Sequence, residues 1–111
     1  MTVINLTPHT VVILDTDNAV IASYPSQGIA RVSTNKQVVG EVDGVNIKSV
    51  EYGAIDGLPE YADENVLYIV SMVVAQAASG RADLISPDTA PDSTVRDNNG
   101  QIIGVRNFAR Y

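Results

Sequence analysis

Two arginines near the end of the chain, Arg106 and Arg110, have the type and spacing that could bind a phosphate group. Residues four apart share a face in a strand and also in a helix, so the geometry does not depend on which of the two forms. In a strand, Phe108 lies between them on that face and offers a ring for a base. Guanidinium groups bind phosphate bidentately and stack on aromatic rings. The segment therefore predicts an anion site, unless the arginines pair with carboxylates and Phe108 belongs to the core.

The distribution of charge also favours the C-terminal part of the chain. The net charge is -6, yet four of the seven basic residues lie in residues 81–111, where four aspartates balance them. A third candidate for the anion site is Arg81, whose simpler role is that of a cation at a helix end. Extended DNA or RNA is an unfavourable partner, because binding its phosphate backbone depends on many Lys and Arg contacts.

Side chains that could catalyse a reaction are scarce. His9 is the only histidine, and the chain has no cysteine, so neither a thiol dyad nor a thiolate metal site can form. A Ser-His-Asp triad would need a serine in a nucleophile elbow, and no serine has that sequence context. Most of the thirteen carboxylates lie in predicted turns or near Glu60, where a solvated surface role is the simplest one. We therefore expect no enzymatic activity, no cofactor and no metal.

Length and composition predict a single domain over residues 1–111, and the arginine motif makes it a ligand-binding domain. A chain of this size can build one hydrophobic core, and 45% hydrophobic residues suffice for it. The first residues lack the basic start and apolar stretch of a signal peptide. The most apolar run, residues 66–78, is shorter than the roughly 20 residues that cross a bilayer as a helix. We expect a cytoplasmic protein that does not contact a membrane.

The first half of the sequence predicts short strands joined by tight turns. Residues 10–15 and 19–24 are rich in β-branched side chains and flank a turn cluster, which indicates a hairpin. Residues 29–33 form another short run. Residues 37–42 and 45–50 flank Asp43-Gly44, and an Asp-Gly pair between such runs is a strong hairpin signal. Residues 53–65, without periodicity, predict a loop.

The second half predicts a short helix and further strands. Residues 67–70 read as a strand, and Ser71 caps a helix over residues 72–78 that Gly80 stops. Residues 83–85 predict a strand and residues 87–93 a loop. Residues 94–97 and 101–111 flank Asn98-Asn99-Gly100 as a last hairpin. The fold class that follows is α+β, mostly antiparallel β hairpins with one or two short helices in the C-terminal half.

Taken together, several short motifs along the chain resemble the phage anti-Thoeris sponge family. They cover nearly the whole length and comprise INLTPH at 4–9, GIARVS at 28–33, YG at 52–53, GLP at 57–59, YIVS at 68–71, VAQA at 74–77, RADL at 81–84 and GVRNFAR at 104–110.

The resemblance implies a protein that binds a signal and does not cleave it. Members of the family sequester the glycocyclic ADP-ribose made by bacterial TIR-domain immune proteins, and some also hold cyclic oligonucleotides. They assemble as dimers or as larger homo-oligomers. For this chain, the resemblance implies a location in the cytoplasm of an infected bacterium. The family's arginine pair, four residues apart, corresponds to Arg106 and Arg110.

One departure from the family concerns the ring that stacks on adenine. The resemblance implies an aromatic residue near the end of the short helix, and residues 73–80 contain none. Either Phe108, Tyr68 or Tyr111 supplies the ring, or the pocket takes a different ligand. The resemblance also suggests that Arg81 and the loop at Asp88 and Thr89 contact ribose or phosphate. Two other functions remain open, a hydrolase of the same signal and a structural or assembly protein of a phage particle.

Overall fold

The computed structural model describes residues 1–111 and contains ten strands and one short helix. The elements follow one another as β1 (Thr2–Asn5), β2 (Val11–Leu14), β3 (Val20–Tyr24), β4 (Arg31–Val42), β5 (Val45–Asp56), β6 (Val66–Ile69), α1 (Met72–Ala77), β7 (Leu84–Pro87), β8 (Thr94–Arg96), β9 (Ile102–Val105) and β10 (Phe108–Ala109).

The strands form two four-stranded sheets and one two-stranded ribbon. The first sheet has the order β1-β6-β7-β10, and the second has the order β3-β2-β9-β8. The ribbon consists of β4 and β5 alone and is called the arm below. Each four-stranded sheet combines strands from the two halves of the chain, so distant segments must meet to complete it.

The core lies on both faces of the first sheet. On one face, Ile69 and Ile85 pack against Val11, Ile13 and Val105 of the second sheet. On the other face, side chains of β6 and β7 pack against α1 and the base of the arm. Because successive side chains of a strand point to opposite faces, a strand covered on both sides is apolar throughout, as β6 is.

The two predicted hairpins of the first half are confirmed. β2 and β3 pair antiparallel, and Asn18 adopts a φ of 62° in the turn between them. β4 and β5 pair antiparallel around Asp43 and Gly44, whose φ values of 52° and 79° fit the predicted turn. The arm is much longer than predicted, because residues 31–33 of the predicted run and the start of the predicted 53–65 loop both belong to its strands.

The prediction of a fold built mostly of antiparallel hairpins is confirmed in part, because four of the strand pairings are antiparallel but the two four-stranded sheets are mixed. β1 pairs with β6, β6 with β7 and β2 with β9, and all three pairings are parallel. The protein is mainly β with one helix, and the second helix that the sequence allowed is not formed. Parallel neighbours come from segments far apart in sequence, and no turn motif marks them.

The last predicted hairpin is confirmed only in its first part. β8 and β9 pair antiparallel around residues 97–101. The chain then bends at Arg106, where the backbone amide donates to the Ser93 carbonyl oxygen at 2.8 Å. Beyond the bend, β10 joins the first sheet and pairs antiparallel with β7. Residues 101–111 are therefore two strands in two different sheets.

The helix begins where the sequence predicted. The Ser71 hydroxyl accepts a hydrogen bond from the Val74 amide at 3.3 Å, and Val74 and Ala75 face the core. No helix of the protein has the length and apolar character needed to cross a lipid bilayer.

Removal of this cap gives the first testable prediction. We expect Ser71→Ala to lower the free energy of unfolding by about 1 kcal/mol, because one amide of the first turn loses its acceptor. The melting temperature should fall by about 4–8 °C, measured by circular dichroism. Ser79→Ala, at an exposed position beyond the helix, is the matched control. Equal melting temperatures for the two variants would contradict the capping role.

Candidate functional site

The structure places the six predicted site residues on two neighbouring segments at the edge of the first sheet. β7 and β10 pair antiparallel, with Phe108 opposite Pro87 and Ala109 opposite Ser86. The pairing continues at one end, where the Asp88 amide donates to the Asn107 carbonyl oxygen at 3.0 Å. A separate hydrogen bond, from the Gly80 amide to the Tyr111 carbonyl oxygen at 3.4 Å, ties the end of the chain to the residue before Arg81.

Arg106 is half-buried and reaches from the bend after β9 to the turn between β2 and β3. Its guanidinium donates to the Asp15 backbone carbonyl and, at 2.9 Å, to the Asn18 side-chain oxygen. Both acceptors are neutral, and Arg106 makes no ion pair. Its position is therefore fixed while its positive charge is not neutralised by a bonded carboxylate.

Arg110 differs from Arg106 in its surroundings. It follows the edge strand β10 directly, is exposed and makes no ion pair. The predicted common face of the two arginines is not formed, because the bend at Arg106 separates β9 from β10. Among the predicted arginines, Arg110 has the guanidinium that is most open to an incoming anion.

Arg81 is committed to an internal ion pair. Its Nε donates to Asp83 Oδ1 at 2.9 Å, and its Nη2 donates to Oδ2 at 2.5 Å and to the Pro59 carbonyl oxygen at 2.9 Å. The Asp83 side chain is 1% exposed. The hydrogen bond to Asp83 raises the pKa of Arg81 above its ordinary value, although partial burial opposes this. This arginine therefore neutralises a buried carboxylate and anchors the loop that follows the arm.

Phe108 is half-buried and packs against the core between the two sheets. Its ring centroid lies 6.3 Å from that of Tyr24, with the two planes inclined at 52°. This corresponds to the core role that the sequence left open for Phe108. It does not lie on an open surface between the two arginines.

A cavity of about 420 Å³ lies beside these segments. Of the six predicted site residues, Thr89 alone is in its wall, which also includes Gly104 and Val105 of β9. The Asp88 carboxylate accepts a hydrogen bond from the Ala90 amide at 3.0 Å and thereby shapes the loop. The rest of the wall combines apolar strand residues with the polar side chains of Thr7, His9, Thr10, Ser71 and Ser86. Cavities of this size accommodate small organic ligands.

The motif at residues 4–9 has a structural role that the sequence did not predict. Asn5 is fully buried, and its Nδ2 donates to the His9 and Tyr24 carbonyl oxygens, each at 2.8 Å. Its Oδ1 accepts from the Thr7 amide at 2.9 Å and from the Thr7 hydroxyl at 2.7 Å. The Asn-x-Thr spacing, typical of a side chain that bonds the backbone two residues on, is the signal that could have revealed it. Asn5 therefore holds the segment 6–9 that forms one wall of the cavity.

The cavity wall offers hydroxyl groups and the His9 imidazole among apolar side chains, which is chemistry suited to binding a small polar molecule, and no arginine or lysine is in the wall. No three His, Cys, Asp or Glu side chains lie close enough together to bind a metal ion. Comparisons with protein-family models, curated proteins and solved structures found no match to this chain.

Proposed function

We propose that this protein is a phage-encoded immune-evasion protein that binds and sequesters a cyclic nucleotide-type signal without cleaving it. The ligand class is glycocyclic ADP-ribose, with cyclic oligonucleotides as further candidates. The protein acts in the cytoplasm of the infected bacterium as a homo-oligomer. The proposal draws on the family resemblance of the sequence and on the geometry of the edge formed by β7 and β10.

The observation that carries the proposal is that β10, which precedes Arg110, pairs with β7 at the border of the cavity. Ser86 and Pro87 of β7 and the following Thr89 are in the cavity wall. Arg106 is held by neutral acceptors, and Arg110 is exposed without an ion pair, so both retain charge for phosphate groups.

The stacking ring is assigned to Tyr111 in this proposal. Tyr68 is only 5% exposed, and Phe108 packs against the inter-sheet core. Tyr111 is 42% exposed and follows Arg110 directly. A ring next to a guanidinium can cover a base while the cation holds a phosphate.

A sequestering protein acts stoichiometrically, which sets a requirement on affinity. Holding a signal present at nanomolar to micromolar concentration needs about -8 to -12 kcal/mol of binding free energy. A few charge-assisted contacts and a stacked ring in a desolvated pocket can supply that amount. No turnover is needed for this function.

The experiment incubates the protein with glycocyclic ADP-ribose and, separately, with cyclic dinucleotides. Binding is measured by titration calorimetry, and the complex is then heat-denatured so that the released compound can be analysed by mass spectrometry. Intact ligand supports sequestration, and altered ligand supports a hydrolase. Absence of binding to any of them contradicts the proposal.

The arginine residues give a sharper prediction. We expect Arg110→Ala and Arg106→Ala each to weaken binding by about 2 kcal/mol, or roughly 30-fold, through loss of a charge-assisted contact. Arg96→Ala is the matched control, since Arg96 is an exposed arginine of β8 that donates to the Gly100 carbonyl oxygen. Circular dichroism establishes that each variant is folded. If Arg106→Ala and Arg110→Ala bind as tightly as Arg96→Ala, the assigned site is wrong.

The arm favours a second candidate function, a structural or assembly protein of a phage particle. It extends apolar side chains into solvent, as assembly proteins often do before they meet a partner. This alternative predicts no nucleotide binding in the titration and incorporation of the protein into virions, detected by immunoblotting of purified particles.

A further inference from the structure

The cavity described above has a wall without Asp, Glu, Lys or Arg, although the chain as a whole is acidic. Strands β2, β7 and β9, which belong to both four-stranded sheets, line it together with the start of α1. Charged residues make up 18% of the sequence, yet the only wall side chain that can carry a charge is the imidazole of His9. The wall therefore offers a charged ligand little in exchange for the water that the ligand loses on entry.

Ser86 of β7 has a hydroxyl group without a partner in the protein. The residue is 1% exposed, and no hydrogen bond joins its Oγ to another group of the chain. Every fully enclosed polar side-chain atom of the protein has a hydrogen-bond partner, so the small exposed part of Ser86 must be the hydroxyl itself. Because Ser86 is in the cavity wall, its Oγ opens into the cavity. A hydroxyl that is withdrawn from bulk water costs free energy unless a molecule in the cavity pairs with it.

Further hydroxyl groups of the wall are available to the same molecule. Ser71 Oγ accepts a hydrogen bond from the Val74 amide, which leaves its own proton free to be donated. Thr10 and Thr89 are also in the wall. A hydroxyl group donates one hydrogen bond and can accept two, so these side chains match uncharged amide, carbonyl or hydroxyl groups of a ligand.

The rest of the wall is mostly apolar and is held in place by the fold. Val11 and Val105 belong to the core between the two sheets, and the buried Asn5 fixes the segment 6–9 through its hydrogen bonds. Ligand sites in proteins are typically pre-formed and mainly apolar, with a few polar groups that orient the ligand. The volume of about 420 Å³ falls within the usual range for such sites.

We propose that this cavity binds an uncharged, partly apolar organic molecule whose amide, carbonyl or hydroxyl group pairs with Ser86. The molecule is either a free compound or the uncharged part of a larger ligand, and the wall recognises the same chemistry in both. This site goes beyond the proposed function, because Arg106 and Arg110, which would hold phosphate groups, are not in the wall.

The first test compares three compounds of nearly equal size, namely benzamide, benzoate and benzylamine, which are neutral, negative and positive at pH 7. Binding is measured by NMR titration of the isotope-labelled protein. We expect benzamide to shift the amide signals of Ser86, Thr89 and Gly104, which are wall residues. Each charged compound should bind about tenfold more weakly, because the wall provides no counter-charge. No shift of these signals with benzamide, or equal binding of the three compounds, overturns the proposal.

Ser86→Ala tests the unpaired hydroxyl itself. The variant should bind benzamide about fivefold more weakly, through loss of one hydrogen bond. Its melting temperature should equal or exceed that of the parent protein, because the hydroxyl has no partner in the chain to lose. Ser79→Ala, at an exposed position outside the wall, is the matched control and should change neither quantity. Unchanged benzamide binding by Ser86→Ala, or a marked fall in its melting temperature, overturns the assigned role of this hydroxyl.

A competition experiment distinguishes the two sources of the ligand. If the cavity takes the uncharged part of the proposed nucleotide signal, glycocyclic ADP-ribose should displace benzamide from the parent protein and should do so less effectively from Arg110→Ala. If the cavity takes a separate compound, benzamide and glycocyclic ADP-ribose should bind together. Arg110→Ala should bind benzamide as the parent protein does, since Arg110 is not in the wall. Failure of the nucleotide to bind leaves the benzamide result standing, so the two proposals fail or succeed separately.

Discussion

Arg81→Met is expected to lower the free energy of unfolding by about 3–5 kcal/mol, since it leaves a buried carboxylate without its partner. Asp83 receives two hydrogen bonds from this guanidinium, and its side chain is 1% exposed. The substitution also removes the donor to the Pro59 carbonyl oxygen, so the loop after the arm should loosen. Urea denaturation followed by circular dichroism measures the change.

The double variant Arg81→Met/Asp83→Leu separates the cost of leaving the Asp83 carboxylate unpaired from the cost of losing the hydrogen bond to Pro59. When both partners of a buried pair are replaced by apolar side chains of similar volume, the cost is often small. We therefore expect the double variant to be more stable than Arg81→Met alone. If the single variant is as stable as the parent, Asp83 is not dependent on Arg81, and the structural role assigned to this arginine is wrong.

Asn5→Asp is the second substitution with a large expected effect. Nδ2 of Asn5 donates to two backbone carbonyl oxygens in a fully buried site, and a carboxylate cannot donate to either. The substitution loses two hydrogen bonds and buries an unpaired charge, so we expect about 3–5 kcal/mol of destabilisation at pH 7. In thermal denaturation, Asn5→Asp should melt at a lower temperature than the parent protein.

The pH dependence of this variant provides a further check. Burial next to carbonyl oxygens should raise the pKa of the new carboxyl group in the folded state above its unfolded value of about 3.9. The deficit in stability should then grow as the pH rises from about 4 to 7. Asn99→Asp, at an exposed turn position, should show little deficit at either pH. A pH-independent deficit would mean that the new carboxyl group is solvated.

The local elements of this fold could be predicted from the sequence because their signals are local. Asp43-Gly44 supplies the positive φ values of its turn, and Ser71 supplies an acceptor for the first turn of α1. The strand at β6 is marked by a continuous apolar run between polar segments. In each case the residues that determine the structure lie within a few positions of one another.

The features that sequence reasoning missed depend on partners far along the chain. β1 joins the first sheet only because β6, some sixty residues later, lies beside it. Similarly, the acceptors of Arg106 are at Asp15 and Asn18, and no local motif relates them. The bend at Arg106 is likewise set by its hydrogen bonds to Ser93. The candidate site residues were chosen by residue type, and Thr89 alone among them lines the cavity, because the positions of the others follow from long-range contacts.

Both four-stranded sheets combine strands from distant parts of the chain, and this affects how the protein folds. The second sheet needs β9 beside β2, and the first needs β10 beside β7 and β6 beside β1. Pairings between remote segments fold slowly, because the chain must close long loops before their contacts stabilise it. During synthesis, β2 and β3 emerge long before β8 and β9 exist to shield them. We expect refolding from urea on the millisecond-to-second scale, and a nascent chain that relies on chaperones to keep its early strands from aggregating.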